Sequence, residues 1–180
     1  VMTMVSVAIA AGLAATAGVV NPQLTVLLLI GLITFHAATN MLNDNFDVKR
    51  RVDRPGAPTA RYRPHPLLTR QISSRSFLAV VAALYMLVVL GIIYMWSIRG
   101  PAVLLFAIPG LFFSIFYTAD PINLKYRALG EISVFLVWGP LMVTGAYYVL
   151  TGRVAQHPCW SPYPTASGSP WSSWPITPVT

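Results

Sequence analysis

Three of the chain's five carboxylates, Asp44, Asp47 and Asp53, fall within ten residues of one another, in the stretch NMLNDNFDVKRRVDRP at residues 40–55. Carboxylates three to four residues apart can grip one hard cation together with phosphate oxygens. Mg²⁺ in particular takes one or two carboxylates plus substrate phosphates and keeps several waters. Asn43 adds a neutral oxygen ligand, and Lys49, Arg50, Arg51 and Arg54 follow at once. The chemistry these residue types point to is a divalent cation that in turn holds a diphosphate. Asp-x-x-Asp is common in loops, so it is the position of this stretch in the chain that gives it weight.

That position is the end of an apolar segment. Of the 180 residues 56% are hydrophobic and 9% charged, with mean hydropathy +0.64, against about 25% charged in ordinary soluble domains. The expected fold class is therefore all-α, a multi-pass transmembrane helix bundle. A spanning helix needs ~20 apolar residues, and five stretches qualify: 1–19, 24–42, 77–97, 101–118 and 132–150. Asn21-Pro22 breaks the first from the second, because proline lacks an N–H and restricts the residue before it. Pro109-Gly110 and Gly139-Pro140 are expected kinks. Ala11, Ala14, Ala15 and Gly18 are expected to form a small-residue face on the first helix. If the second helix continues past residue 42, His36, Asn40, Asn43 and Asp47 fall within about 60° of one another, with Asp44 on the flank. A polar stripe of this kind faces a bundle interior or a watered cavity, since lipid exposure is costly.

The charges orient the helices. Lys49, Arg50, Arg51, Arg54, Arg61, Arg63, Arg70 and Arg75 lie between spans two and three, and Lys125 and Arg127 lie between spans four and five. Only Arg99 and Arg153 lie on the other side, which places both rich loops in the cytoplasm. All five acids share that side, Asp120 and Glu131 included. The net charge of +7 is thus a topology signal and does not point to nucleic acid. The expected location is the plasma membrane, with the lipid bilayer as partner and no nucleic acid. The single cysteine, Cys159, excludes a disulfide framework and a cysteine metal site within the chain. Residues 1–20 lack the basic start of a signal peptide, and the natural start is expected upstream. Residues 154–180 hold no charge, six prolines and three tryptophans. They are expected to be a disordered or out-of-frame tail, leaving 1–153 as the membrane domain.

Residues 43–53, NDNFDVKRRVD, resemble the first aspartate-rich motif of the UbiA superfamily of intramembrane prenyltransferases. The spacing is closest to the 1,4-dihydroxy-2-naphthoate branch. Residues 117–152, beginning YTADPINLKYRALGE, are similar to the fourth-to-fifth-helix region of the same branch. The resemblance covers residues 1–153 and implies Mg²⁺-dependent transfer of a polyprenyl group from an allylic diphosphate to an aromatic acceptor, in menaquinone biosynthesis. Asn43, Asp44 and Asp47 would hold the metal and act as the catalytic set. Asp53, Tyr117, Lys125 and Arg127 would bind the diphosphate. The superfamily has a second aspartate-rich motif and further helices, which nothing after Gly152 supplies. The expectation is therefore part of a larger UbiA-type bundle, inactive alone if cut short.

Other readings stay open for single residues and for the whole. Lys125 and Arg127 equally suit positive-inside anchoring, and Arg61, Arg63, His65 and Arg70 suit solvated topology determinants or phosphate contacts. Glu131 suits a helix N-terminus, Asp120 a turn before proline, and His36 helix packing. The acceptor could instead be 4-hydroxybenzoate or a similar ring. A cation transporter would place its acids near mid-membrane on broken helices, whereas these acids lie at a helix end and in loops. A membrane interaction subunit without chemistry would tolerate their loss.

Overall fold

The structure is a computed structural model, and it describes residues 2–53, 66–69, 71–127 and 129–153. Five apolar helices appear where five apolar stretches were expected, and no strand is formed among the described residues. They are α1 (Met2–Thr16), α2 (Pro22–Lys49), α3 (Ser74–Arg99), α4 (Leu104–Phe116) and α5 (Gly130–Thr151). By length and composition α2, α3 and α5 can each cross a membrane; α1 and α4 are shorter. A 3₁₀ turn, Pro101–Val103, leads into α4, and another, Leu124–Arg127, lies in the loop before α5.

The boundaries have local causes. Asn21 caps α2 by accepting the Leu24 N–H at 2.9 Å, with Pro22 in the first turn, where its missing N–H costs nothing. Ser73 caps α3 by accepting the Ser76 N–H at 3.1 Å. Pro109 is carried inside α4. In α5 the Gly139-Pro140 step widens the helix into a π turn over Val137–Leu141, and Ser6 of α1 donates to the Trp138 carbonyl within it at 2.9 Å. That contact fixes the face α1 buries. Thr3, Ser6, Val7, Ala10 and Ala14 point inward, while Ala15 is exposed and Gly18 lies beyond the helix at φ 75°. The expected face through Ala11, Ala14, Ala15 and Gly18 is corrected: the buried stripe is centred about a fifth of a turn away, with Ala14 on both.

Packing concentrates at the end of the bundle that holds the start of α2. Ala10, Ala14, Leu24, Leu28, Met95, Val103, Ala146, Val149 and Leu150 form one buried cluster. Arg99, at the end of α3, donates to the carbonyls of Val149 (2.5 Å) and Leu150 (2.8 Å), the last turn of α5. Tyr148 returns a hydrogen bond to the Arg99 carbonyl at 2.7 Å. A cation on helix-terminal carbonyls satisfies acceptors that the helix leaves open. Outward, large apolar side chains such as Met86, Leu105, Ile108 and Phe135 are more than half exposed. Exposure on that scale suits lipid, which needs no polar cover.

Candidate functional site

Helix α2 is about 42 Å long at 1.5 Å per residue, roughly 12 Å more than the hydrocarbon core of a bilayer. Its surplus is the polar end. The helix continues through residues 43–49, so Asn43 and Asp47 sit one turn apart on the inward face. Past Lys49 the chain turns back: Arg51 takes φ 59°, and the N–H groups of Val52 and Asp53 both bond the Asp47 carbonyl, at 2.9 and 3.2 Å. This hook keeps Asp53 beside the end of the helix.

The second stretch meets the first there. Thr118, fully buried, donates to Asn43 Oδ1 at 2.8 Å. Asp47, 7% exposed, accepts from Lys125 Nζ at 2.6 and 2.9 Å and from the Tyr126 hydroxyl. An ammonium and a phenol together satisfy a carboxylate that burial would otherwise penalise. Partial burial, then the Asp47 carboxylate, raises the Tyr126 pKa above that of an ordinary phenol, so Tyr126 remains a donor at any physiological pH. Beside it, Arg50 pairs with Asp120 at 2.6 Å and lies 4.6 Å over the Tyr126 ring. Asp120 also accepts from Asn123 at 2.9 Å, and these contacts, Asn123 first and then Arg50, hold its carboxyl below the ordinary range.

The sequence-predicted residues are therefore not one cluster of equals. Asn43 and Asp47 share the inward face, with Lys125 drawn onto Asp47. Asp44 and Asp53 are half-buried nearby in the chain. Tyr117 lines a cavity beneath Asn43, close against Gly130, where a Cβ would stand 3.4 Å from its hydroxyl. Arg127 is exposed and donates to the Pro121 carbonyl at 3.0 Å, within its own loop. Glu131 is exposed in the first turn of α5. Arg61, Arg63, His65, Arg70 and the tail from residue 154 lie outside the described residues. Sequence reasoning missed Thr118, Tyr126 and the Arg50–Asp120 pair. Thr118 and Tyr126 stand directly beside residues it chose, Tyr117 and Lys125.

Among the described residues no three of His, Cys, Asp and Glu converge as a self-contained metal cage. The donor set still suits Mg²⁺, whose shell is completed by water and phosphate: Asn43, Asp44 and Asp47 offer only hard oxygens. The Lys125 ammonium on Asp47 shows that this carboxylate already holds a positive charge.

Two cavities lie below. The nearer, about 190 Å³, is lined by His36, Thr39, Asn40, Asn43, Tyr117 and Trp138 among others. The deeper, about 470 Å³, is almost wholly apolar and lies among α2, α3, α4 and α5. Phe35, Gly110, Val137 and Met142 line both. At their junction Ser114 bonds Thr39 (2.6 Å) and Tyr85 (2.5 Å), tying α2, α4 and α3 together. Charge, polar pocket and apolar cavity thus follow one another along α2.

The sequence pattern of the UbiA prenyltransferase family matches residues 4–178; the match runs beyond residue 153, where the resemblance was expected to stop. The chain is 28% identical over 144 residues to UbiA prenyltransferase domain-containing protein 1 of Ailuropoda melanoleuca, covering 78% of this chain and 41% of that protein. It is 26% identical to the Homo sapiens protein over the same shares. A 38-residue stretch is 47% identical to the Dictyostelium discoideum protein, 21% of this chain and 12% of that one. The chain spans about 41% of the length of the first two of these relatives. No solved structure matches it.

Proposed function

The chain belongs to the UbiA prenyltransferase family, and we propose that it carries the donor half of a site transferring a polyprenyl group from an allylic diphosphate to an aromatic ring. The observation that carries this reading is the meeting of Asn43 and Asp47 with Thr118, Lys125 and Tyr126 directly above a polar pocket and an apolar cavity. The order of these parts matches the order of the reactants: anionic head, reacting carbon, hydrocarbon tail.

Asn43, Asp44 and Asp47 would hold Mg²⁺, which when bound supplies Lewis-acid stabilisation of the diphosphate as it leaves. Lys125 is positioned to pass from Asp47 to a phosphate oxygen, and Tyr126 offers a hydroxyl beside it. Asp53, held near by the Arg51 hook, would add to the polar rim with Tyr117 beneath, and Arg127 would have to leave the Pro121 carbonyl to reach the diphosphate. These donors favour heterolysis of the allylic C–O bond, whose electron pair goes to the diphosphate. The apolar walls below keep water from the allylic cation while a π pair of the acceptor ring forms the new C–C bond. With 1,4-dihydroxy-2-naphthoate, the acceptor we favour, the ring then loses its carboxylate as CO₂, giving a menaquinone precursor. The charge bias of the loops supports an orientation that puts this site on the cytoplasmic face, and the plasma membrane is the location we favour.

The test is conversion of dihydroxynaphthoate by membranes carrying the chain, with Mg²⁺ and a polyprenyl diphosphate. The expected result is a prenylated naphthoquinol whose formation stops on chelation and in the Asp44→Ala, Asp47→Ala double variant. Transfer that survives the double substitution contradicts the site.

A further inference from the structure

The bonds that hold the 117–127 loop on the end of α2 are of two kinds. Thr118 bonds Asn43, and Lys125 and Tyr126 bond Asp47, so these run through oxygens that the reading above assigns to Mg²⁺. A metal that takes those oxygens competes with the ammonium and hydroxyls that now occupy them. The second kind stands outside that competition. Arg50 pairs with Asp120 at 2.6 Å, and its guanidinium lies 4.6 Å over the Tyr126 ring. Neither Arg50 nor Asp120 belongs to the proposed ligand set. Both partners are fixed from behind. Arg50 is the C-cap of α2, its N–H bonded to the Phe46 carbonyl at 2.9 Å. Asp120 accepts from the Asn123 side chain at 2.9 Å, and the Asn123 N–H bonds the Ala119 carbonyl at 2.9 Å.

We infer that Arg50 is a positioning residue for the diphosphate site: it clasps the 117–127 loop, and with it Lys125 and Tyr126, to the end of α2 while Asn43 and Asp47 exchange their partners. This rests on the prenyltransferase reading and adds how the site keeps its loop during that exchange. The geometry suits arginine. A planar guanidinium bonds a carboxylate along its edge and stacks on a ring by its face at the same time, which an ammonium does not. The magnitudes suit a clasp as well. The Asp120 side chain is 68% exposed, and an ion pair so open to water is weak alone; a cation over an aromatic face adds a comparable amount. Together they are worth about tenfold in the closed population of the loop. That is enough to retain a bound donor, and little enough for the loop to open when the diphosphate leaves. Stacking on Tyr126, the neighbour of Lys125, places the clasp beside the two side chains that would turn to phosphate.

The test is the binding kinetics of farnesyl thiodiphosphate with Mg²⁺ to the full chain in lipid nanodiscs. The variants are Arg50→Met, Arg50→Lys, Asp120→Asn and the Arg50→Met, Asp120→Asn double. Arg50→Met, which keeps an apolar stem and removes the guanidinium, is expected to speed dissociation about tenfold and to leave association within about twofold. Asp120→Asn is expected to speed dissociation about threefold. The double variant should dissociate no faster than Arg50→Met alone, since the two residues act through one contact. Arg50→Lys keeps the charge for Asp120 and loses the stack, so it should fall between the original chain and Arg50→Met. Unfolding midpoints in detergent are expected to stay together, which separates positioning from loss of the fold. Three results would overturn the inference. Asp120→Asn may not hold the donor as tightly as the original chain, or more tightly, while Arg50→Met loses it; that outcome would make Arg50 a phosphate ligand. Losses that add in the double variant would remove the shared contact. Slower association with dissociation unchanged would make Arg50 a steering charge only. Failure of the original chain to bind the donor probe would instead remove the prenyltransferase reading, and the inference with it.

Discussion

The two ends of this bundle are held together by different physics. At the end that carries the start of α2, small and aliphatic side chains close on one another: Ala10, Ala14, Leu24, Leu28 and Val149 are buried, and Arg99 seals the last carbonyls of α5. At the opposite end the contacts are ionic and hydroxylic: Asp47 with Lys125 and Tyr126, Arg50 with Asp120, Asn43 with Thr118. Dispersion contacts between close-packed groups have no competitor in solution. An ammonium on a carboxylate has one, because a metal ion or a phosphate can take either partner. The first end is a frame and the second is a set of exchangeable bonds, which is what a site that binds and releases a charged group requires.

The largest expected effect separates stability from binding at the exchangeable end. Replacing both partners of a buried ion pair by apolar groups is often close to neutral for stability. The Asp47→Leu, Lys125→Leu double variant should therefore unfold within about 1 kcal/mol of the original chain, while losing Mg²⁺-dependent donor binding by more than about a hundredfold, some 3 kcal/mol. Denaturation in detergent beside a binding isotherm reads both. Parallel losses in both would make this end a frame like the other.

The packed end should respond in the opposite sense. A Cβ on Gly145 would stand 3.0 and 3.1 Å from Phe106 Cβ and Cγ. Gly145→Val should cost about 1–3 kcal/mol of overpacking strain, seen as a lower unfolding midpoint, with the Mg²⁺ dependence of donor binding unchanged.

The smallest effect concerns Asp120. Its folded pKa lies below the ordinary value of 3.8, through the Asn123 hydrogen bond first and Arg50 second. A depressed carboxyl stabilises above its unfolded pKa, and that stabilisation is lost as pH falls through the folded value. Asp120→Asn should thus loosen the 117–127 loop slightly at neutral pH, and the difference from the original chain should vanish in acid below the ordinary carboxylate range. Amide hydrogen exchange of Arg50 and Asn123 reports it. A difference that persists at low pH contradicts the assignment.

Much of the frame was legible in the sequence because it depends on local rules. Apolar runs of spanning length, the Asn21-Pro22 break and the Gly139-Pro140 step set the helices and the π turn. The shared face of His36, Asn40, Asn43 and Asp47 rested on the supposition that α2 runs past its apolar part, and it does run on to Lys49. The small-residue face of α1 was misjudged for a physical reason. In a helix rich in Ala and Gly, small residues occur on every side, and the buried face is chosen by partners such as the Trp138 carbonyl that Ser6 meets. The pairing of Asp47 with Lys125 and Tyr126 was not legible either. Those groups are 78 and 79 residues apart, and no periodicity connects a helix end to a loop. Position in the chain marked both stretches as charged; only the fold assigns partners across them.

The central claim is that the end of α2 and the 117–127 loop form one cation-dependent diphosphate site. Binding of farnesyl thiodiphosphate to the chain in nanodiscs, with and without Mg²⁺, tests it most directly. The account predicts saturable binding that requires Mg²⁺ and disappears in the Asp44→Ala, Asp47→Ala variant. Binding of equal strength without Mg²⁺, or undiminished in that variant, would contradict it.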